Sequence, residues 1–320
     1  MSPTRRSLAA GLASLALPAR AQGSYPERPV RVVIPYAAGG GADTVGRILF
    51  AKLGEILQQS FIIENRGGGA GTIGAAVVAK APADGYTLLH DATAFSVNPS
   101  LFDRLSYDTR RDFRPIFLAA RVPNLLLVHP SITLQSVPEV IAFAKAQPGG
   151  LEWASSGNGG IQHLALEMFA RAADIRLNHV PYRGGAPALT DLIAGQIKFY
   201  FSNAAASTGH VRAGRVRAIA HTGAQRIATF PDLPRVAETL PGFEAYEWNG
   251  VFAPAGVPDA VVARINQGLN AALAAPDVAE RLAGLSVEAR PNTPAECGAF
   301  VEAEMAKWER VVREANIRPD

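Results

Sequence analysis

Val30-Arg31-Val32-Val33-Ile34-Pro35-Tyr36-Ala37-Ala38-Gly39-Gly40-Gly41-Ala42-Asp43 decides how this chain is read. A short β-branched run stops at a proline and three glycines follow. Asp43 then opens a stretch in which Val45, Ile48, Leu49, Leu53, Ile56 and Leu57 recur at helical spacing. The pattern is a strand, a tight loop and a helix N-terminus. Glycines without a Cβ let a ligand approach the backbone. The first N–H groups of a helix are unpaired donors with partial positive charge, so the loop suits a small anion.

Outward from this stretch the chain keeps alternating. Phe61 to Ile63 reads as a strand, Arg66 to Gly74 as a glycine-rich turn, then a short helix runs through Lys80 and a strand covers Tyr86 to Leu89. Such alternation argues a parallel sheet covered on both faces, which makes one α/β lobe. Phe113 to Val128 breaks the pattern with a long β-rich run holding prolines, expected to be a strand pair or an inter-lobe crossing. Ser136 and Glu139 then form a capping box, with Pro138 in the first turn. Alternation resumes with strands at Glu152 to Ala154, Leu177 to Val180, Ile197 to Phe201 and Val216 to Ala220, and with helices from Ile161, Ala186 and Ala204. This is a second α/β lobe. Tyr246 to Ala253 is the return crossing, followed by a helix carrying Val261, Val262, Ile265, Leu269 and Leu273. A second capping box, Thr293 to Glu296, opens a final helix whose stripe is Cys297, Val301, Met305, Trp308 and Val312. That helix ends on the first lobe or across the back of both.

The 320 residues exceed one ordinary core, and an apolar content of 48% is ample for two. Arg5 and Arg6, the apolar and small run Ser7 to Leu17, and Ala19-Arg20-Ala21 predict an export signal over 1–21, cleaved after Ala21. Ordinary secretion and twin-arginine export both fit. Cleavage removes three arginines and no acid, so 31 basic against 28 acidic residues becomes 28 against 28. The basic balance belongs to the signal, and no cluster of Lys and Arg marks a nucleic-acid or anionic-membrane footprint. No later stretch reaches the ~20 apolar residues of a membrane span, which predicts a soluble mature chain. The lone Cys297 falls on an apolar helical stripe, where core packing is its expected role.

One loop is echoed. Ile34-Pro35-Tyr36 with Gly39-Gly40 returns as Val180-Pro181-Tyr182 with Gly184-Gly185, each after a strand and before a helix. Two helix N-termini then face one cleft, unless Pro and Gly merely end strands in both places. Ser155-Ser156-Gly157-Asn158-Gly159-Gly160 is a third loop of this kind, with hydroxyls, an amide and accessible N–H groups. His163, in the first turn of the next helix, is either a structural histidine or a contact for a bound anion. Arg183 is a cation inside a glycine loop, either solvated or facing the cleft. Asp43 is an N-cap by position or an acceptor for a polar group of the ligand. A different reading rests on Gly69-Ala70-Gly71-Thr72-Ile73-Gly74, a G-x-G-x-x-G after a strand, with Asp91 ending the next strand, as in dinucleotide-binding oxidoreductases. Against it, the preceding strand is not the first of its lobe and the following helix is brief. With no G-x-S-x-G elbow, H-E-x-x-H or cysteine pair, neither a hydrolase triad nor a metal centre is expected, and no cofactor.

These motifs together resemble the exported solute receptors of the tripartite tricarboxylate transporter family, the Bug receptors, over essentially the whole mature sequence. The resemblance is carried by Tyr25-Pro26-Glu27-Arg28-Pro29, the Ile34 to Asp43 stretch, Glu64-Asn65-Arg66, Ala83-Asp84-Gly85-Tyr86-Thr87-Leu88-Leu89 and Asn98-Pro99-Ser100-Leu101. Gly157-Asn158-Gly159, His179 to Ala188 and Phe252-Ala253-Pro254-Ala255-Gly256 continue it. It implies a type II periplasmic binding protein fold with lobe 1 at 22–122 and 250–320 and lobe 2 at 123–249. It also implies a monomeric, non-enzymatic receptor in the periplasm that closes on a small carboxylate and delivers it to a membrane permease; a sensory receptor without a transport role is the other reading. Ligand contacts are implied for Tyr36, Ala37, Gly39, Gly40, Gly41 and Asp43, for Thr93 and Phe95, for Ser155, Ser156, Gly157 and Asn158, and for Tyr182, Arg183, Gly184 and Ala186, with Asn203 nearby. Ala38 stands where the family usually has proline, Ala42 where a hydroxyl is usual, and Arg183 where lysine is common, so ligand preference does not transfer directly.

Overall fold

Val30 to Ile34 form strand β1, flanked by parallel strands on both sides, and its four apolar side chains are fully buried because helices cover both faces of the sheet there. The computed structural model describes residues 25–315, so the expected export segment lies outside the described residues. β1 leads into α1 (Gly41–Leu57), β2 (Phe61–Asn65), α2 (Thr72–Ala79), β3 (Thr87–Ala92) and α3 (Ala94–Leu101). α1 forms as the spacing predicts. It buries Val45, Leu49 and Leu53, each worth roughly 1.5–3 kcal/mol, and ends where Gln58 turns left-handed and its N–H reaches Gly54 O. α3 has no sequence counterpart above, since Pro99 lies inside it.

The long β-rich run is a single strand, β4 (Phe113–Val128). The chain then passes through α4 (Val137–Lys145), β5 (Leu151–Ser155), α5 (Ile161–Ala173), β6 (Leu177–Pro181), α6 (Gly185–Ile193), β7 (Phe199–Asn203), α7 (Ala204–Arg212) and β8 (Arg217–His221). It returns through β9 (Tyr246–Pro254) to α8 (Asp259–Ala274), α9 (Pro276–Ala283) and α10 (Pro294–Ala315).

Pairing along β4 explains its length. From Phe113 to Pro123 it runs antiparallel to β9, and from Asn124 to Val128 it runs antiparallel to β7 and β8. β4 is therefore the inter-lobe crossing itself. Its register shifts between Pro115 and Phe117, where a bulge accommodates a residue that has no N–H to give the ladder. β9 also pairs antiparallel with β3, while β2 and β3 flank β1 in parallel, and β6 and β7 flank β5 in parallel. The described residues form a nine-stranded sheet ordered β2-β1-β3-β9-β4-β7-β5-β6, with β8 beside β4. The result is two helix-flanked parallel groups, joined through two antiparallel crossing strands.

One expected capping box forms in full and the other in part. At α10 the box is complete: Glu296 N donates to Thr293 Oγ1 at 3.2 Å and Thr293 N to Glu296 Oε2 at 2.7 Å. At α4 Ser136 Oγ accepts from Glu139 N, but Glu139 reaches back one residue further than expected, to Gln135 N at 2.9 Å. α10 crosses the back of both lobes. Cys297, Val301 and Met305 pack with Val33 and Phe95, whereas Trp308 and Val312 join the cluster that holds Trp153, Phe169 and Phe201 of the second lobe. Burial pushes the Cys297 thiol up to about 12, so it is a core residue and a poor nucleophile. Trp308→Ala is expected to destabilise the protein by about 3–5 kcal/mol, read from the denaturant midpoint, because the cavity left at the meeting of two cores cannot collapse freely.

Candidate functional site

The two echoed loops meet. A Cβ added at Gly184, whose φ is +117°, would sit 3.1 Å from Ala37 N, and one added at Gly40 would sit 3.9 Å from Gly185 N. Gly41 is tighter still, since a Cβ there would fall 2.3 Å from Asn203 Cγ. The glycines therefore let the backbone of one lobe lie against the other.

Behind this contact is a cavity of about 30 Å³, on which helices from both lobes begin. α1 contributes Gly41 and Ala42, α3 Ala94, α5 Ile161 and Gln162, and α6 Gly185; Thr93 and Asn203 stand just ahead of α3 and α7. Helix N-termini converging on one enclosed space supply N–H donors and partial positive charge without an ionised side chain. Among the described residues no Lys, Arg or His lines it. Asn203 Oδ1 caps α7 by accepting from Ala205 N at 2.9 Å. Its Nδ2 is buried with no hydrogen-bond partner, although it lies near enough to Glu247 to favour that carboxyl's charged form.

A polar chain crosses the cavity wall. Ser156 Oγ donates to Gln162 Oε1, and Gln162 Nε2 donates to Glu247 Oε2 at 2.8 Å and to Asn124 Oδ1 at 3.0 Å. Burial raises the Glu247 carboxyl above its usual range, while Gln162, Asn203 and Asn249 pull it back. Glu247, Gln162, Tyr200 and Ser202 line the cavity and are absent from the sequence-derived set. The signal for Glu247 was a lone acid inside the apolar Tyr246 to Ala253 strand. Gln162 carried none beyond its place in a helix's first turn.

Of the sequence-derived residues, Tyr36, Gly40, Gly41, Thr93, Ser156 and Asn203 line this cavity. Gly157, Asn158, Tyr182, Arg183 and Gly184 line an outer depression beside it, which Tyr36 and Ser156 share. Arg183 is exposed there, so it does not enter the inner cavity. Ala37 and Ala186 serve the loop contact, Ala186 Cβ lying 3.8 Å from where a Gly39 Cβ would be. Phe95 is not part of this lining: its ring is buried against Phe252 at 4.4 Å and Phe113 at 5.1 Å. Ser155 is turned to His179 Nε2 at 2.5 Å, and His163 stacks on that same ring at 3.9 Å while accepting from Gly159 N. Both therefore support the 155–160 loop from beneath.

Asp43 is neither the N-cap, which is Gly40, nor a residue of the inner cavity. Its carboxylate accepts from Gly39 N at 2.8 Å, Arg47 Nε at 2.8 Å and Asn65 Nδ2 at 2.9 Å. Burial opposes its charge, but these donors outweigh burial and hold its carboxyl below the usual range. It pins the Gly39–Gly41 loop.

Asp91, the acid of the dinucleotide pattern, is also committed. It is buried, accepting from Tyr36 Oη at 2.7 Å and Ala92 N at 2.7 Å. Gly71 packs close to both, a Cβ there falling 3.3 Å from Tyr36 Oη, so Gly69 to Gly74 buttress Tyr36. Among the described residues no cluster of His, Cys, Asp and Glu could hold a metal ion.

Two α/β lobes joined by crossing strands, with helix N-termini turned onto a cavity between them, define a solute-binding protein of the periplasmic type. The chain matches the model of the tripartite tricarboxylate transporter family receptor over residues 45–317, and it belongs to that family of periplasmic receptors. It is 38% identical over 296 residues to a protein from the tcbD-tcbE intergenic region of Pseudomonas sp. strain P51, covering 92% of this chain and 88% of that one. The structure of the periplasmic binding protein BugD superposes with a TM-score of 0.89 at 34% identity, covering 92% of this chain and all of that one, 100%. Rpa4515 of R. palustris, solved with adipate, gives 0.89 at 36% identity over 92% of this chain and 100% of its own. MatC of Rhodopseudomonas palustris, solved with malate, gives 0.85 at 33% over 90% and 100%.

Two tests follow from this geometry. Gly41→Ala places a methyl on the Asn203 amide that caps α7, so it is expected to hold the lobes apart; small-angle scattering should show a larger radius of gyration, and an unchanged profile would contradict the close-approach argument. Burial raises Asp91 to about 7 from its ordinary 3.8. Between those values the folded chain binds a proton that the unfolded chain has lost, so this residue's contribution to stability is full below about pH 4 and is lost as pH rises through about 7. Asp91→Asn, which keeps an acceptor for Tyr36, should gain melting temperature relative to the parent across that window; a constant difference would overturn the assignment.

Proposed function

We propose that this chain is an exported receptor, released by cleavage after Ala21, that closes its lobes on a small carboxylate as a monomer and delivers it to the membrane permease of a tripartite tricarboxylate transporter. The lobes are taken as 22–122 with 250–320, and 123–249. The observation that carries the reading is the convergence of the α1, α5 and α6 N-termini on one cavity with no cationic side chain in its lining among the described residues. Backbone N–H groups and the amide of Asn203, whose Nδ2 has no hydrogen-bond partner, then replace the water around the anion. Closure strengthens those bonds by lowering the local dielectric. The adipate and malate held by two relatives agree with this chemistry.

Binding requires no covalent step. A ligand at 100 times its Kd is expected to stabilise the closed protein by ~2.7 kcal/mol, a thermal shift of several degrees. Screening the mature chain against aliphatic and aromatic mono- and dicarboxylates, amino acids and nicotinate by thermal shift checks this. No shift with any anion, beside a shift with NAD, would overturn it.

A further inference from the structure

Glu247 is a carboxylate in a cavity whose other walls favour anions, and anion binding alone leaves it without a role. It is 7% exposed and lies on β9 between Tyr246 and Trp248. Oε2 accepts from Gln162 Nε2 at 2.8 Å, and Oε1 has a long contact from Asn249 Nδ2 at 3.4 Å. A carboxylate offers about four acceptor positions, so capacity is left over. No Lys, Arg or His shares the cavity lining among the described residues to neutralise it.

The arrangement also divides the helix ends. Gln162 is the second residue of α5 and is held by both Glu247 and Ser156, so the α5 end already faces a resident carboxylate. The α1 and α6 ends remain for the carboxylate of a ligand. A second ionised carboxylate on that ligand would meet Glu247 in an enclosed, poorly screened space, where like charges disfavour one another and a hydrogen-bond donor is favoured.

Resting on the carboxylate-receptor reading above, we propose that Glu247 determines the specificity of this cavity, rejecting dianionic dicarboxylates and selecting a small monocarboxylate whose far end donates a hydrogen bond, as an amide, hydroxyl or ammonium does. The competing state is a neutral Glu247, which would itself donate to a second carboxylate. Burial raises this carboxyl's affinity for a proton, and the amides of Gln162, Asn203 and Asn249 oppose that.

Isosteric ligand pairs separate the two. Titration calorimetry of the mature protein at pH 8 with succinate against succinamate, and adipate against adipamate, should show the monoamide bound at least tenfold more tightly in the preferred length. Glu247→Gln, checked for an unchanged melting profile, should erase or invert that ratio by improving the dicarboxylate. A parent protein that binds the dicarboxylate as tightly as its monoamide, with proton uptake read from the buffer dependence of the heat, would overturn the proposal. So would a ratio that Glu247→Gln leaves unchanged. If neither member of any pair binds to parent or variant while the protein remains folded, the carboxylate-receptor reading fails first and this assignment with it.

Discussion

The near-contact of two backbones, Ala37–Gly41 from one lobe and Gly184–Ala186 from the other, is the constraint on which the rest of this structure depends. Glycine and alanine stand where these loops meet, and a single methyl at Gly41 would collide with the Asn203 amide. Because the gap is closed by main chain, the groups exposed to the cavity are main-chain N–H donors, and their positions are set by helices α1 and α6. Asp43, Arg47 and Asn65 pin the first of these loops, and Asp91 holds Tyr36 beside it. A network of buried carboxylates thus serves to place donors that those carboxylates do not themselves provide.

Electrostatics follow from that arrangement. With 31 basic against 28 acidic residues in the sequence and no cation in the cavity lining among the described residues, an anion in the proposed site would be held by oriented dipoles. Dipoles fall off faster than charges, so the cavity is selective over a few ångströms and nearly indifferent beyond them. Glu247, the one carboxylate in that lining among the described residues, is then disproportionately strong, since no cation there compensates it.

The loops were legible from sequence because proline and glycine act locally: a strand ended by Pro35 or Pro181 and a helix opened by glycines need no tertiary context to be recognised. The crossing strands were legible from the break in alternation at Phe113 to Val128 and Tyr246 to Ala253. Other features depend on packing that no window reveals. Gln162 and Glu247 are 85 positions apart and meet through the fold. Phe95, two residues beyond the cavity-lining Thr93, points into an aromatic core because successive residues of a helical turn face different ways. Asp43 stands where a cap is expected, yet it sits in the helix's first turn and braces the loop behind it. The N-cap itself is Gly40, which has no side chain to offer.

The pairing of Pro123 with Tyr246 places the entry and the exit of the second lobe side by side on neighbouring strands. Asn124 Nδ2 reaches Ala245 O at 3.4 Å, one residue further in. In the division proposed above, the second lobe is an insertion whose two ends are paired with one another on the host sheet. A cassette of this kind can be exchanged between homologues at one seam, with β4 and β9 keeping their register in the host. Such receptors can in principle diversify one wall of the binding cleft by recombination while the other wall stays unchanged.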